Sequence, residues 1–247
     1  MNRLAFITGG SRGIGETIVK QLANEGYKVA FTYQTQGEAA KKIASNLNKL
    51  GCHTLAVKMD QSCRDSISSA LKAARIHFKL PITILVNNAA QAQEKPFEEI
   101  NDKDWEDMLN VNLQGPYRCI QECLNDMKSE QYGRIVNITS IGGQWGGRNQ
   151  VHYAASKAGL INLSHSISNL YSSDGILSNS VAVGLAATDM SQAELSRSDG
   201  QSKVAGIPLG RIATCSEISQ VVSFLCSEKS SYITGQTINA NGGMLNS

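Results

Sequence analysis

The fold of this chain is decided by the stretch Thr8-Gly9-Gly10-Ser11-Arg12-Gly13-Ile14-Gly15, which follows a short apolar run and precedes a helical pattern. Glycines let a backbone turn tightly and approach a ligand closely, because they carry no Cβ. The amino end of the following helix presents free N–H groups and the positive end of the helix dipole. The stretch therefore predicts a strand-to-helix turn that receives a phosphate group, with a tight turn without a ligand as the alternative.

Beyond this turn, short β-rich runs alternate with longer helical stretches. The predicted strands are Leu4 to Thr8, Lys28 to Tyr33, Thr54 to Lys58, Ile82 to Asn87, Arg134 to Thr139, Leu177 to Val183 and Gln236 to Asn239. Helical composition and spacing mark residues 13–25, 37–50, 62–78, 102–130, 150–172 and 214–228. This alternation predicts an α/β fold: a single Rossmann-type domain with a doubly wound parallel sheet of about seven strands and helices on both faces.

The alternation is interrupted between residues 184 and 213, where glycines and Pro208 stand among polar residues. Long irregular segments in compact domains are usually functional, and this one follows a predicted strand on the side of a parallel sheet where ligands bind. We expect one domain over residues 1–247, with an irregular lobe at about 184–213 beside the ligand. A disordered surface loop is the alternative for this segment.

The charge balance excludes partners that require a strongly basic surface. The chain has 23 Lys and Arg residues against 21 Asp and Glu residues, and its formal net charge is +2. Without a strong field there is no argument for nucleic acid or an anionic membrane as a partner, so we expect a small ligand. The first apolar run is shorter than a secretory signal, and no apolar stretch reaches the length of a membrane span.

Six cysteines are scattered through the chain without a C-x-x-C pair. This spacing favours reduced thiols over a disulfide framework, which predicts a cytoplasmic protein. Cys119 and Cys123 are four residues apart on a predicted helix, but no histidine is placed to complete a metal site with them. We therefore predict no metal site and expect both thiols to pack in the core.

Tyr153 and Lys157 are four residues apart in a predicted helix, so their side chains share one face. A phenol is a poor acid–base group at neutral pH, but a neighbouring ammonium stabilises its charged form. The pair predicts acid–base chemistry, with an amphipathic surface pair as the alternative. His152 points about 100° away from Tyr153 on that helix, so we assign neither His152 nor His165 as a base and expect packing or solvent roles for both.

Taken together, these segments resemble the short-chain dehydrogenase/reductase family of the classical type. The likeness covers nearly the whole chain and rests on an ordered set of motifs, each of which is common alone. The motifs are T-G-x-x-x-G-x-G at Thr8 to Gly15, Asn87-Asn88-Ala89-Ala90, Asn112, Ser140, Tyr153-x-x-x-Lys157, Thr188-Asp189-Met190, Tyr232-Ile233-Thr234-Gly235-Gln236 and Asn241-Gly242-Gly243.

The resemblance implies an oxidoreductase whose catalytic set is Ser140, Tyr153, Lys157 and Asn112. In such enzymes the serine and tyrosine hydroxyls hold a carbonyl oxygen, the tyrosine supplies the proton, and a nicotinamide cofactor supplies the hydride. Lys157 is then expected to bind the nicotinamide ribose. Asn112 is expected to help keep a water near that lysine from its place in a helix, although a lone helical asparagine is usually just a satisfied polar residue.

The residues after the second strand indicate which nicotinamide cofactor binds. NAD-specific folds carry a carboxylate about twenty residues past the glycine turn. Here Tyr33, Gln34 and Thr35 occupy that place. Arg12 in the turn adds a planar cation that suits a 2′-phosphate, so NADP(H) is predicted and NAD(H) is the less favoured alternative.

The resemblance also assigns the other cofactor contacts. Asp60 is expected to contact the adenine and Asn88 to lie beside the adenosine ribose, while Ala90 replaces a glycine that is usual in the family. The full set of implied contacts is Gly9, Ser11, Arg12, Gly13, Ile14, Gly15, Asp60, Gln61, Asn88, Ala89, Tyr153, Lys157, Gly184 and Thr188.

Among subfamilies, the chain is most similar to 3-oxoacyl-[acyl-carrier-protein] reductases, which implies reduction of a 3-oxoacyl thioester, as in fatty acid biosynthesis, with acyl carrier protein as a candidate partner. Two departures stand against this reading. Arginines that grip the acidic carrier in similar reductases align with Gln131 and Asp174, and an anion opposes an acidic partner. Val183 replaces a proline before Gly184, so the local turn is open to change.

Other readings therefore stay open. One is the reduction or oxidation of another carbonyl compound, such as a polyketide or specialised acyl intermediate, a sugar derivative or a small ketone, because a fold does not choose a substrate. Another is a cofactor-binding scaffold without turnover, against which the intact catalytic set argues. The resemblance also implies a homotetramer, assembled through helices 102–130 and 150–172 and the C-terminal segment.

Overall fold

The computed structural model describes residues 2–189, 191, 195 and 200–246. Its strands are β1 (Leu4–Ile7), β2 (Lys28–Tyr33), β3 (His53–Lys58), β4 (Ile82–Asn87), β5 (Gly133–Ser140), β6 (Ile176–Val183) and β7 (Thr237–Ala240). These strands form one parallel sheet in the order β3-β2-β1-β4-β5-β6-β7. The order reverses between β1 and β4, and this reversal opens a crevice at the carboxyl ends of the strands, where α/β sheets bind ligands.

Helices connect the strands and cover both faces of the sheet. They are α1 (Gly13–Asn24), α2 (Gly37–Lys49), α3 (Arg64–Phe78), α4 (Asp102–Leu109), α5 (Gly115–Ser129), α6 (Gly142–Trp145), α7 (Val151–Tyr171), α8 (Gly200–Ala205) and α9 (Cys215–Cys226). Short 3₁₀ turns occur at Phe97–Glu99, Ser172–Asp174 and Glu228–Ser230.

Two apolar clusters, one on each face of the sheet, hold the helices in place. In β1, Ala5 and Ile7 belong to one cluster and Leu4 and Phe6 to the other, because successive side chains of a strand point to opposite faces. The first cluster includes residues of α1, α2 and α9, and the second includes residues of α3, α5 and α7. The predicted doubly wound parallel sheet with helices on both faces is confirmed.

The stretch 102–130 is not the uninterrupted α-helix that the sequence predicts. α4 and α5 are joined by a π-helical turn, Asn110–Gln114, in which the Gly115 N–H donates to the carbonyl of Asn110. The physical reason is Pro116 at the start of α5. Proline has no N–H, so the carbonyl of Asn112 lacks the donor that a regular α-helix would direct to it.

The described part of the segment 184–213 contains a backbone bridge and a short helix. Its two ends meet in a parallel bridge between Ala186 and Ala213, and the Ala213 N–H donates to the carbonyl of Leu185 at 2.9 Å. The short helix α8 lies inside this segment. Met190 of the Thr188-Asp189-Met190 motif lies outside the described residues, as do 192–194 and 196–199.

All six cysteines are free. Cys119 and Cys123 lie in the second apolar cluster, and burial raises the pKa of the Cys119 thiol to about 12. Both thiols therefore stay protonated and pack as small apolar side chains, as expected. In the part of the chain that the structure describes, no helix combines the length and apolar character needed to cross a membrane.

Candidate active site

The glycine turn is held by hydrogen bonds from the two strands that flank β1. On the β2 side, the Gly10 N–H donates to the Thr32 carbonyl at 2.8 Å, and the Gly9 N–H donates to the Thr32 hydroxyl at 3.1 Å. On the β4 side, Asn88 Nδ2 donates to the carbonyls of Thr8 and Gly9, both at 2.9 Å. The predicted cofactor residue Asn88 therefore also fixes the shape of the turn.

The turn has no room for side chains at two of its glycines. A Cβ on Gly15 would lie 2.1 Å from the carbonyl oxygen of Gly9, and a Cβ on Gly9 would lie 2.9 Å from Cα of Ala89. Gly9 and Gly13 have φ of 67° and 56°, a region that residues with a side chain rarely adopt. The backbone is thus closely packed where the helix begins.

The N-cap residue of α1 is Arg12, and its side chain makes no cap hydrogen bond. Helices usually satisfy these N–H groups with Ser, Thr, Asp or Asn. An uncapped helix start with a positive dipole end suits an anion. The residues from Ser11 to Gly15 therefore fit the pyrophosphate of a dinucleotide, as the sequence predicts.

Arg12 lies at the surface of the crevice. Its side chain is 65% exposed, and its guanidinium forms a loose ion pair with Asp189, 3.8 Å away. A pair this exposed contributes little to stability, so the cation can turn to an incoming phosphate at small cost. At the end of β2, Tyr33 is followed by Gln34 and not by a carboxylate.

Asp60 and Gln61 follow β3 and differ in orientation. The carboxylate of Asp60 accepts hydrogen bonds from the N–H and the hydroxyl of Ser62 at 2.9 and 2.7 Å, which fixes the turn there. The Gln61 side chain is buried against Gly115 and Cys119 of α5. Any contact of Gln61 with a cofactor therefore has to come from its backbone.

Ser140, Tyr153 and Lys157 are brought together by β5 and α7. Lys157 Nζ donates to the carbonyl of Ile138 on β5 at 2.9 Å and lies 5.6 Å from the centroid of the Tyr153 ring. Ser140 is the last residue of β5, and its hydroxyl accepts the Gly142 N–H at 3.1 Å. The ammonium group therefore lies near the tyrosine ring and is bonded to the strand that ends at the serine.

Lys157 is buried, and among the described residues desolvation is the one cause that shifts the pKa of its ammonium. Desolvation lowers the pKa of the Lys157 ammonium to about 8, so the group is still mostly charged at neutral pH. The short helix α6 lies directly on α7 here, because a Cβ on Gly143 would be 2.8 Å from the Lys157 carbonyl carbon. In the described part of the chain no carboxylate forms an ion pair with Lys157. A buried cation of this kind destabilises the fold and is typical of functional sites.

Asn112 lies in the π-helical turn and is fully buried. Its side chain exchanges two hydrogen bonds with the backbone of Gln91, both at 2.9 Å, and donates to the Ser156 hydroxyl at 3.1 Å. Ser156 in turn donates to the carbonyl of Tyr153 at 2.6 Å. Asn112 is thus linked to the tyrosine through Ser156, and its side chain is occupied by these protein groups.

Gly184 and Thr188 follow β6 and approach different parts of the chain. A Cβ on Gly184 would lie 2.9 Å from Cα of Asn241, whereas the Thr188 methyl would lie 3.5 Å from a Cβ on Gly13. Thr188 therefore sits close to the glycine turn. Val183, which replaces the family's proline, continues β6 in register with Ser140.

Sequence reasoning missed the residues that support the catalytic side chains. The Thr8 hydroxyl accepts the Asn88 N–H at 3.0 Å. Thr8 lies in the T-G-x-x-x-G-x-G motif and Ser156 lies between Tyr153 and Lys157, so the motifs gave a signal for both. Gln91 and Gln93 precede α4 without any pattern, and nothing in the sequence marked them. His152, expected to pack, is buried and contacts Gln93.

Comparisons with known proteins agree with this geometry. A family model described as enoyl-(acyl carrier protein) reductase matches residues 9–245. The 3-oxoacyl-[acyl-carrier-protein] reductase FabG of Aquifex aeolicus is 41% identical over 243 residues, covering 98% of this chain and 97% of the relative. The FabG protein of Staphylococcus epidermidis is 36% identical over 244 residues, covering 99% of both chains.

A solved structure shares the same fold. The crystal structure of a blue fluorescent protein from a metagenomic library, in complex with NADPH, has a TM-score of 0.92 and 31% sequence identity, covering 99% of this chain and 98% of the other. With the parallel sheet, the glycine turn and the Tyr153–Lys157 pair, these matches identify the chain as a member of the short-chain dehydrogenase/reductase family, an oxidoreductase that uses a nicotinamide cofactor on a ketone.

Proposed function

We propose that this enzyme reduces a 3-oxoacyl thioester to the secondary alcohol with NADPH, through Ser140, Tyr153, Lys157 and Asn112. The observation that carries the proposal is the buried Lys157 ammonium, 5.6 Å from the Tyr153 ring and bonded to the strand that ends at Ser140. Burying this cation destabilises the folded protein, and ionisable groups perturbed in this way cluster at functional sites.

We assign each side chain a role from the protons that it carries and the charge that it holds. The hydroxyls of Ser140 and Tyr153 donate to the carbonyl oxygen, and Tyr153 transfers its proton to that oxygen as negative charge develops. Lys157 stabilises the tyrosinate that remains. NADPH, when bound, supplies the hydride that reduces the carbonyl carbon. Oxidation of an alcohol is the same path reversed.

Asn112 has a supporting place in this scheme. Its side chain is hydrogen-bonded to Gln91 and Ser156. A hydrogen bond to a water near Lys157 would therefore come from its backbone carbonyl. This carbonyl lacks an α-helical donor because Pro116 has no N–H. π-helical turns inside α-helices are frequent at functional sites. We therefore assign Asn112 to the proton path through its backbone and to the support of Tyr153 through its side chain.

The preference for NADPH over NADH rests on Arg12 and on the absence of a carboxylate at the end of β2 in the sequence. The exposed guanidinium offers a bidentate partner for a 2′-phosphate. We propose that Gly9, Ser11, Gly13, Ile14 and Gly15 surround the pyrophosphate. The remaining proposed cofactor contacts are Asp60, the backbone of Gln61, Asn88, Ala89, Gly184 and Thr188.

The substrate class rests on relatives named 3-oxoacyl-[acyl-carrier-protein] reductase, at 36 to 41% identity. Gln131 and Asp174, where similar reductases carry arginines, precede β5 and β6. Both lie at the amino end of the sheet, about 23 Å from Ser140 along an eight-residue strand. The neutral Gln131 and the acidic Asp174 offer no positive charge to an acidic carrier. We therefore propose that the enzyme recognises the acyl thioester more strongly than its carrier.

A panel of ketones with NADPH tests the proposal. The absorbance of NADPH is followed with acetoacetyl-CoA, a carrier-bound 3-oxoacyl chain and unrelated ketones, and turnover of the thioesters is expected. Tyr153→Phe should lower kcat by about a hundredfold to ten-thousandfold while NADPH still binds. Tyr117→Phe, at an exposed tyrosine of α5, is the matched control, because it removes a phenol hydroxyl and keeps the apolar ring at the surface. Full activity of Tyr153→Phe would refute the mechanism.

A second candidate is reduction of another ketone, such as a polyketide or specialised acyl intermediate, a sugar derivative or a small ketone. Asp174 favours it, because its charge opposes an acidic carrier. This alternative would be established if neither thioester were reduced and another ketone were. A cofactor-binding scaffold, the third reading, predicts NADPH binding without turnover of any ketone.

The proposal also covers the domain structure, the oligomeric state and the compartment of the protein. We propose one catalytic domain over residues 1–247, with the segment 184–213 as the substrate lobe. A homotetramer is supported by large apolar side chains exposed on α5 and α7, among them Tyr117 and Leu170, and a monomer by light scattering would refute it. Six free cysteines suit a reducing cytoplasm.

A further inference from the structure

The segment Gln91–Lys95, which follows β4, is fastened to the residues that precede Tyr153. The Lys95 N–H donates to the carbonyl of Asn149 at 2.8 Å, and Gln150 Nε2 donates to Glu94 Oε1 at 3.3 Å. At its other end, Gln91 is bound by the Asn112 side chain. The segment therefore forms a wall beside the start of α7.

His152 supplies the central contact of this wall. Its ring is fully buried, and Nε2 lies 2.8 Å from Gln93 Oε1. The Gln93 amide is oriented by a bond from its Nε2 to Asp104 Oδ1 at 3.2 Å. The reverse orientation would place the amide oxygen against a carboxylate, so Gln93 Oε1 is the acceptor and His152 Nε2 carries the proton.

The other ring nitrogen, Nδ1, is buried and has no hydrogen-bond partner among the described residues. A second proton there would be a buried donor without an acceptor. Burial lowers the pKa of His152, the Asp104 carboxylate on α4 opposes this shift, and Lys95 of the wall adds to it. Asp104 and Lys95 neutralise each other in an ion pair at 2.6 Å. The ring is therefore a neutral, single-donor imidazole.

We propose that His152 is a positioning residue of the reductase, which holds the wall Gln91–Lys95 against α7 through Gln93 and so sets the place of Tyr153 relative to the substrate. This inference rests on the proposed function. Tyr153 is then fixed from two sides: through its neighbour His152, and through the Asn112–Ser156 link to its carbonyl. A displacement of about 1 Å in such a site can cost a hundredfold in rate.

Three substitutions separate this role from simple packing. In His152→Gln, the amide nitrogen is separated from Cβ by the same number of bonds as Nε2 of the histidine ring. The donor to Gln93 is therefore kept. His152→Asn ends one atom short, and His152→Leu keeps volume without a donor. His77→Leu, at an exposed histidine of α3, is the matched control. We expect kcat to fall about tenfold to a hundredfold in the Asn and Leu variants, with recovery in the Gln variant and unchanged NADPH affinity throughout.

A second measurement does not depend on turnover. Hydrogen exchange of the backbone amides of residues 91–95 should become faster in His152→Leu and return towards the wild-type rate in His152→Gln. Gln93→Leu should cause the same loss of kcat, and the double variant His152→Leu/Gln93→Leu should be no worse than either single variant.

The outcomes distinguish the two proposals. Equal behaviour of the Gln and Leu variants in both measurements, or additive losses in the double variant, would overturn the role of His152. An inactive wild type would overturn the proposed function and would leave the exchange measurement to decide about His152. If the wild type reduces another ketone only, kcat of the His152 and Gln93 variants is measured with that ketone, and the same outcomes decide the role of His152.

Discussion

The glycine turn and the Tyr153 side of the site lie in the same crevice but are built differently. The turn is one contiguous segment, Thr8 to Gly15, whose backbone is the binding surface and whose helix start has no side-chain cap. The Tyr153 side draws its groups from β5, the π-helical turn and α7, and buried side chains hold it together. A local sequence thus makes the first region, whereas long-range contacts make the second.

This difference determines how each region tolerates change. The turn depends on the absence of atoms, since a Cβ on Gly15 meets a backbone oxygen. The Tyr153 side depends on the presence of polar groups, since each of its buried bonds replaces water. Steric substitutions should therefore break the turn, and removal of polar atoms should break the other side.

The largest effect is expected for Gly15→Ala. The new Cβ would lie 2.1 Å from the Gly9 carbonyl oxygen, which is backbone and cannot rotate away. We expect a loss of about 3 kcal/mol in the free energy of unfolding and a loss of NADPH affinity of more than about tenfold. Chemical denaturation and NADPH titration measure the two. Gly206→Ala, whose Cβ would have a 3.4 Å contact, should behave as wild type; equal stability of both variants would contradict the steric account.

Asn112→Ala should have the next largest effect. It removes two bonds to Gln91 and one to Ser156, and we expect a loss of about 2 kcal/mol in unfolding free energy. kcat should fall with it, because the support of the Tyr153 carbonyl is weakened. The control is Asn110→Ala in the same π-helical turn, which removes a half-buried bond from Arg118. Indistinguishable variants would show that the buried bonds do not matter.

Lys157→Met should make the cofactor-free protein more stable while it abolishes turnover. Burial lowers the pKa of Lys157 to about 8, so at neutral pH the folded state carries a desolvated cation. Allowing for the lost bond to Ile138, we expect a gain of about 2 kcal/mol in unfolding free energy at pH 7. Destabilisation by this substitution would refute the cost assigned to the cation.

The sign of the pH dependence sharpens this test. Between the folded pKa of about 8 and the usual lysine value of 10.5, the unfolded chain binds more protons at Lys157 than the folded protein. The contribution of Lys157 to wild-type stability therefore rises with pH across this window. The advantage of Lys157→Met should shrink from pH 8 upwards, whereas the exposed Lys72→Met should show no such trend.

Arg12→Ala should have the smallest effect, because the guanidinium is exposed and its pair with Asp189 is 3.8 Å long. We expect the KM for NADPH to rise about tenfold, the KM for NADH to stay the same, and stability to change by less than about 0.5 kcal/mol. Steady-state kinetics with both cofactors measure this. Arg64→Ala on α3 is the control, and an equal rise for NADPH and NADH would contradict a role in 2′-phosphate recognition.

Much of the fold followed from periodicity. The seven strands agree with the sequence prediction to within two residues at each end, because buried parallel strands are apolar runs that side-chain chemistry makes visible. The π-helical turn was not predicted, since Pro116 stands in a long helical pattern and only the hydrogen-bond pattern reveals what it displaces. α6 was missed because four residues with two glycines carry no helical period.

By itself, the sequence determined the alternation of strands and helices that indicates a parallel sheet, the glycine turn and the shared helix of Tyr153 and Lys157, because each of these patterns depends on residues close together in the chain. Only the tertiary structure decided that Lys157 is buried against Ile138, that Asn112 is committed to Gln91 and Ser156, and that His152 meets Gln93. These contacts join residues 19 to 59 positions apart. Their partners are chosen by the packing of whole elements, which no local pattern records.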